Sequence, residues 1–173
     1  MSLSICIPGY NRPQFLAWTL DRLERDFPDA EVIVSDDGST EDMSPVHGRR
    51  AKWIQQEHVG PFPNLRLALL AASRKYAAYC ANDDYLLPDR VAEAVAYLDA
   101  HPEVSAYIAP CEVWDEVNQR SLWNTWAGFK DPVTFGPTHE DALKLWNFII
   151  HHHVWPEHGI YRTPVPLKPR TRA

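Results

Sequence analysis

Apolar positions gather in short blocks along the first half of the chain, and between those blocks they recur every three or four residues. Residues 3–7 form a compact apolar run with β-branched members, closed by Pro8-Gly9, and predict a buried first strand. Asn11 and Pro13 mark a helix start, after which Phe15, Leu16, Thr19, Leu20 and Leu23 recur at helical spacing. Residues 31–35 carry Val32, Ile33 and Val34, a second buried strand running into Asp36-Asp37-Gly38-Ser39. Trp53-Ile54-Gln55 is a weaker third strand. The spacing of Leu65, Ala68, Leu69 and Ala72 predicts a second helix from Asn64 to about Lys75, and residues 76–81 a fourth strand. Pro88 suits the first position of a third helix, with Val91, Val95 and Leu98 facing inward and His101-Pro102 as its stop. Residues 104–109 predict a fifth strand.

This alternation is the grammar of a doubly wound, mostly parallel α/β sheet with helices on both faces. Ligands of such sheets sit outside the carboxyl ends of the strands. Polar clusters fall at three of those ends: Pro8-Gly9-Tyr10-Asn11-Arg12, Asp36-Asp37, and Asn82-Asp83-Asp84. After about Pro110 the pattern changes to tryptophans separated by Pro, Gly and His. Thr138, with Asp141 three positions on, predicts one more helix start, and Gly159-Ile160-Tyr161 a last short strand. Residues 164–173 hold three prolines and three basic residues and read as an unpacked, disordered tail.

Composition narrows the function. The chain has 173 residues, enough for one domain with a real core. Its net charge of −6, with no long basic block, argues against nucleic acid as a partner. An anionic ligand would therefore need a cation or backbone donors to hold it. Three widely spaced cysteines without a CxxC pair predict reduced thiols and a cytoplasmic setting. No apolar run is long enough to span a bilayer. His151-His152-His153 point in different directions along a chain and do not make a zinc site.

The acidic pair Asp83-Asp84 carries the sharpest chemistry. An apolar run ending in two adjacent carboxylates is tolerable at an open strand end, and easier with a cation between it and another anion. One or two carboxylates plus substrate phosphates is the usual Mg²⁺ arrangement.

Together, Ile5-Cys6-Ile7-Pro8-Gly9-Tyr10-Asn11-Arg12, Val34-Ser35-Asp36-Asp37-Gly38-Ser39 and Tyr79-Cys80-Ala81-Asn82-Asp83-Asp84, with Pro88 opening a helix, resemble the family-2 glycosyltransferases of GT-A fold. The resemblance covers roughly residues 3–110. It implies metal-dependent, inverting transfer of a sugar from a nucleotide diphosphate sugar, a UDP-sugar foremost, to an acceptor hydroxyl, with Mg²⁺ or Mn²⁺. By position, Pro8, Tyr10 and Arg12 would flank the nucleotide, with Tyr10 stacking on the base. Asp36 or Asp37 would accept hydrogen bonds from base or ribose. Asn64 and Arg66 would approach the nucleotide or diphosphate. Asp83 would face the ribose and the metal, and Asp84 would bind the metal.

On this reading residues 1–110 form the nucleotide-sugar-binding half and residues 111–163 a partial acceptor-side region. Trp123 and Trp126 are candidate acceptor platforms, since aromatic faces suit sugar rings. The family's general base lies in an acidic segment after a stretch like His158-Gly159-Ile160-Tyr161-Arg162, and no acidic residue follows Arg162 here. The chain is therefore expected to lack the C-terminal acceptor and base segment, with Glu157, or else Asp115, as stand-in base. The alternatives are a non-catalytic nucleotide-sugar-binding module and a nucleotidyltransferase-like enzyme. A homo-oligomer is compatible with all three.

Overall fold

The computed structural model describes residues 2–109, 111–124, 133–136, 138–152 and 159–164, and the side chains of Trp123, Asn124 and His152 are not among what it describes. The elements run β1 (Leu3–Gly9), α1 (Pro13–Asp26), β2 (Glu31–Asp36), α2 (Ser44–His47), β3 (Lys52–Gln55), α3 (Pro61–Leu70), β4 (Tyr76–Tyr79) and α4 (Pro88–Ala100). There follow β5 (Ala106–Ile108), β6 (Glu112–Asp115), β7 (Arg120–Asn124), α5 (His139–His152) and β8 (Gly159–Arg162). The described residues divide into two compact units, one reaching Tyr107 and including β8, the other beginning at Ile108.

In the first unit a six-stranded sheet has the order β3-β2-β1-β4-β8-β5. The pairs β1–β2, β2–β3 and β1–β4 are parallel, and β8 is antiparallel to β4. The strands read as near-continuous apolar runs because both faces of the sheet are covered. Leu3, Ile5, Ile7, Val32, Val34, Tyr76 and Ala78 face Leu16, Leu20 and Leu23 of α1 and Val91, Ala94 and Leu98 of α4. The alternate positions Cys6, Ile33 and Ala77 pack with Ala68 of α3 on the other face. Burying both stripes supplies most of the drive to fold, at roughly 25 cal/mol per Å² of apolar surface.

Arg162 ties β8 in. Its guanidinium donates to the carbonyls of Val104 (2.7 Å), His101 (3.0 Å) and Leu98 and to Tyr76 Oη (3.2 Å). The carbonyls left over at the C-terminal end of α4 thus receive a charged donor.

A cavity of about 420 Å³ opens at the amino-terminal ends of β2 and β3, lined in part by Arg49, Arg50, Lys52 and Arg74. Two of its arginines are tied to α1 and the turn that follows it. Arg49 pairs with Asp21 and Glu24, and Arg50 donates to the carbonyls of Phe27 and Pro28.

In the second unit β6 and β7 form an antiparallel hairpin. Asp115 closes its turn, accepting Asn118 N (3.1 Å) and Asn118 Nδ2 (2.7 Å). The start of α5 is a reciprocal cap: Asp141 N donates to Thr138 Oγ1 (3.1 Å) and Thr138 N to Asp141 Oδ2 (3.3 Å), as the spacing predicted.

Several predicted elements shift: the first strand runs on to Gly9, and the fourth, predicted over residues 76–81, ends at Tyr79. The second helix begins at Pro61, because two prolines can occupy a first turn whose N–H groups have no intrahelical partner. It ends at Leu70, and Ser73 beyond it donates its N–H and hydroxyl to Glu31 instead of continuing the helix. The fifth strand shortens to Ala106–Ile108. The β6–β7 hairpin and the insertion of β8 between β4 and β5 had no sequence counterpart.

Candidate functional site

The strand order reverses between β1 and β4. From β1 the chain builds outward to β2 and β3, then crosses back to place β4 on the other side. The crevice outside the carboxyl ends at such a reversal is where doubly wound sheets bind ligands. The turns after β1, β2 and β4 meet here.

The turn after β1 is held in an uncommon backbone conformation. Asn11 and Arg12 both have positive φ, 57° and 58°. Asn is tolerant of this region, whereas Arg is not. Asn11 stabilises it by bridging to the next turn: its N–H donates to Ser39 Oγ (2.7 Å), and its Oδ1 accepts Thr40 N (2.8 Å) and Glu41 N (3.0 Å). Arg12 then reaches across the crevice, Nη1 lying 3.3 Å from Asp83 Oδ2. Tyr10 is 42% exposed, with its ring centroid 4.5 Å from that of His58.

The turn after β2 is a buried polar clamp. Asp36 and Asp37 are both 2% exposed. Asp36 Oδ1 accepts Ser39 N (3.0 Å) and the Ser39 hydroxyl (2.5 Å). Asp37 captures the chain after β3: Oδ1 accepts Val59 N (2.8 Å) and Oδ2 accepts Gly60 N (2.9 Å). His58 Nδ1 lies 3.0 Å from Asp37 Oδ2 and 3.2 Å from its carbonyl oxygen. Both neighbours are acceptors, which assigns the proton to Nδ1. Gly38 has φ +72°, and a Cβ there would stand 2.9 Å from His58 N and 3.0 Å from Gln56 O. Only glycine fits that turn.

Asn64 is also 2% exposed. Its Nδ2 donates to the carbonyls of Ser35 (2.9 Å) and Gly9 (3.2 Å), and its Oδ1 accepts Gln56 Nε2 (2.9 Å). It ties the ends of β1 and β2 to α3. Arg66 is half-buried two positions further along that helix, and Pro8 pairs with Ser35 inside the sheet.

After β4 the chain turns through Ala81–Asp84, closed by Asp84 N donating to Ala81 O (3.2 Å). Asp83 and Asp84 are exposed. Beneath them Cys80 is fully buried, and burial, with the nearby charges of Asp84 and Asp83, pushes its thiol pKa up and keeps it protonated. Among the described residues no group of three or more His, Cys, Asp or Glu could hold a metal ion alone. Two exposed carboxylates are hard oxygen donors, and they fit a divalent cation whose remaining ligands are phosphate and water.

The structure thus brings Arg12 to Asp83, Tyr10 to His58, and Asn64 to the ends of β1 and β2. Asp36, Asp37 and Asn64, read from sequence as ligand contacts, have polar atoms already bonded inside the fold. His58 and Gln56 were not singled out, because they lie in a short polar run that carries no motif, and Asn11 was read as a helix start and part of the first polar cluster but not as the bridge to the turn after β2. The Trp123 side chain, Trp126 and Glu157 lie outside the described residues. Asp115 holds its carboxyl below the usual range through hydrogen bonds from Asn118, which makes it a poor proton acceptor.

A family profile described as Glycosyl transferase family 2 matches residues 4–163. An uncharacterised protein of Mycobacterium tuberculosis is 32% identical over 123 residues, covering 64% of this chain and 35% of the relative. TarS of Staphylococcus aureus, a poly(ribitol-phosphate) beta-N-acetylglucosaminyltransferase, is 26% identical over 111 residues, 58% of this chain and 19% of TarS. The chain therefore spans about a third of the mycobacterial relative's length, and less of TarS. Among solved structures, TarS 1–349 in complex with UDP-GlcNAc has a TM-score of 0.67 at 23% identity, covering 94% of this chain and 45% of that one. The mannosyltransferase PcManGT of Pyrobaculum calidifontis, in complex with GDP-Man and Mn²⁺, has a TM-score of 0.53 at 23% identity, covering 66% and 36%. These structural likenesses show a shared fold.

Proposed function

Because this chain belongs to glycosyl transferase family 2 and has the GT-A fold, we propose that it binds a nucleoside diphosphate sugar at the carboxyl ends of β1, β2 and β4 and takes part in transferring that sugar to an acceptor hydroxyl. The observation that carries this reading is the Arg12–Asp83 contact at the reversal of strand order, where a guanidinium from the turn after β1 meets a carboxylate from the turn after β4. UDP is the nucleotide of choice, in keeping with the complexes of TarS.

Tyr10 and His58 offer aromatic faces to the base. The clamp made by Asp36, Asp37 and Asn64 holds the floor under it. Arg12 swings between Asp83 and the diphosphate. Asp83 and Asp84 would hold Mg²⁺ or Mn²⁺, which supplies neutralisation of the charge on the leaving diphosphate when bound. Attack by the acceptor from the opposite face would invert the anomeric centre. Glu157 is the proposed base, Asp115 being committed to its own turn. Trp123 and Trp126 are proposed to meet the acceptor. Three cysteines in no disulfide, two of them buried, suit the cytoplasm.

A thermal-shift panel of UDP, GDP and ADP with and without Mn²⁺ tests this. Ligand at a hundred times its Kd should stabilise by about 2.7 kcal/mol, and only with metal present. Equal shifts with and without metal, or none, overturn the reading. Glu157→Gln should keep donor binding and lose turnover by about 10²–10⁴-fold.

A further inference from the structure

We propose that Thr19 is a positioning residue whose buried hydroxyl fixes the Asn82–Asp84 turn and so sets where the Asp83 and Asp84 carboxylates stand. The inference rests on the function proposed above.

Thr19 interrupts the apolar stripe of α1. Leu16, Leu20 and Leu23 around it are core residues, and Thr19 is itself 1% exposed. Packing alone would be served by valine, which has the same shape. A threonine inside a helix ordinarily returns its hydroxyl to a carbonyl of its own preceding turn. Here Oγ1 leaves the helix and lies 3.0 Å from Asn82 O and 3.4 Å from Asp84 O. One hydroxyl proton serves both acceptors, so the two carbonyls are drawn to a single point.

Other contacts make the attachment specific. Cys80 Sγ lies 3.5 Å from Ala81 O and 3.8 Å from Asp84 O, on the buried side of the same turn. Tyr85 Oη donates to Asp26 Oδ2 (3.0 Å), so the residue after the acidic pair is tied to the far end of the same helix. With its carbonyls held inward, the turn presents both carboxylates at the surface. Adjacent like charges repel, and a fixed backbone keeps them together for a cation. Groups that orient metal ligands in this way typically change metal affinity 10–100-fold when removed.

The test is calorimetry of UDP binding with and without Mn²⁺, and of uridine binding without metal. Thr19→Val should weaken Mn²⁺-dependent UDP binding about tenfold and leave uridine binding unchanged. Thr19→Ser, which keeps the hydroxyl, should restore most of the loss. Thr19→Ala provides the same comparison should valine fail to fold. Asp84→Asn is the reference for complete loss of the metal effect. If Asp84→Asn loses that effect while Thr19→Val and Thr19→Ala keep it, this inference is overturned and the proposed function stands. Equal weakening of uridine binding reduces Thr19 to a structural role. A wild-type chain without any metal effect overturns both.

Discussion

Arg12 and Asp83 meet at 3.3 Å although 71 positions separate them, and each comes from a turn on opposite sides of the strand-order reversal. Their side chains are 59% and 42% exposed, so the pair contributes little to stability. On the function proposed above, its value lies in holding one cation and one carboxylate where a diphosphate would arrive. Asp83→Asn and Arg12→Ala should each leave stability within about 1 kcal/mol of wild type. Each should lower UDP affinity in the presence of Mn²⁺ by about tenfold or more, as for one lost hydrogen bond to a charged group. Urea unfolding and calorimetry on the same samples separate the two effects. Unchanged affinity in both variants would remove this pair from the site.

Asn64→Leu should behave in the opposite way. It withdraws the donor amide from the ends of β1 and β2 and leaves the Gln56 amide only its longer contact to Asp37 Oδ1 (3.4 Å). We expect a loss of about 1–3 kcal/mol in urea unfolding, with weaker nucleotide binding following from the loosened turns. Full stability with reduced binding would instead show that Asn64 contacts ligand directly.

Gly38→Ala meets two obstacles at once, a positive φ of +72° and backbone atoms 2.9 and 3.0 Å from the added Cβ. The combined cost should be about 2–4 kcal/mol, read from the urea midpoint. A variant as stable as wild type would mean that the 56–58 segment gives way freely.

Glu31 provides a pH signature. Burial pushes its carboxyl up, but the hydroxyl of Ser4, the N–H and hydroxyl of Ser73 and the charge of Lys52 together hold it below the usual 4.5. The folded state thus binds this proton more weakly than the unfolded chain. The stabilisation is complete above the unfolded value and is lost as the pH falls through the lower folded one. Wild type should lose stability more steeply than Glu31→Gln between about pH 5 and pH 3. Parallel acid limbs in urea titrations at successive pH values would contradict this.

Much of the site was legible because its three turns carry their own chemistry in contiguous letters. Pro8 to Arg12, Asp36 to Ser39 and Asn82 to Asp84 each end an apolar run, and the doubly wound pattern alone places them on one edge. What the letters do not carry is which polar atom turns inward. Asp37, read from the sequence as a ligand carboxylate, also accepts from Val59 and Gly60, and those partners lie in a turn with no apolar pattern. The same applies to β8, whose four residues are too few to show a period and whose place beside β4 depends on pairing Arg162 with Tyr76.

The backbone at Arg12 has φ 58° and ψ 51°, a conformation that glycine adopts without strain and that costs other L-residues about 1–2 kcal/mol. Arg12→Gly would relieve that strain and remove the guanidinium together. Its melting temperature should hold or rise, by up to about 1 kcal/mol of stability once the freer unfolded chain is counted, while nucleotide affinity falls. Position 12 is then a local trade-off between robustness and use, occupied by a residue that durability alone would not select.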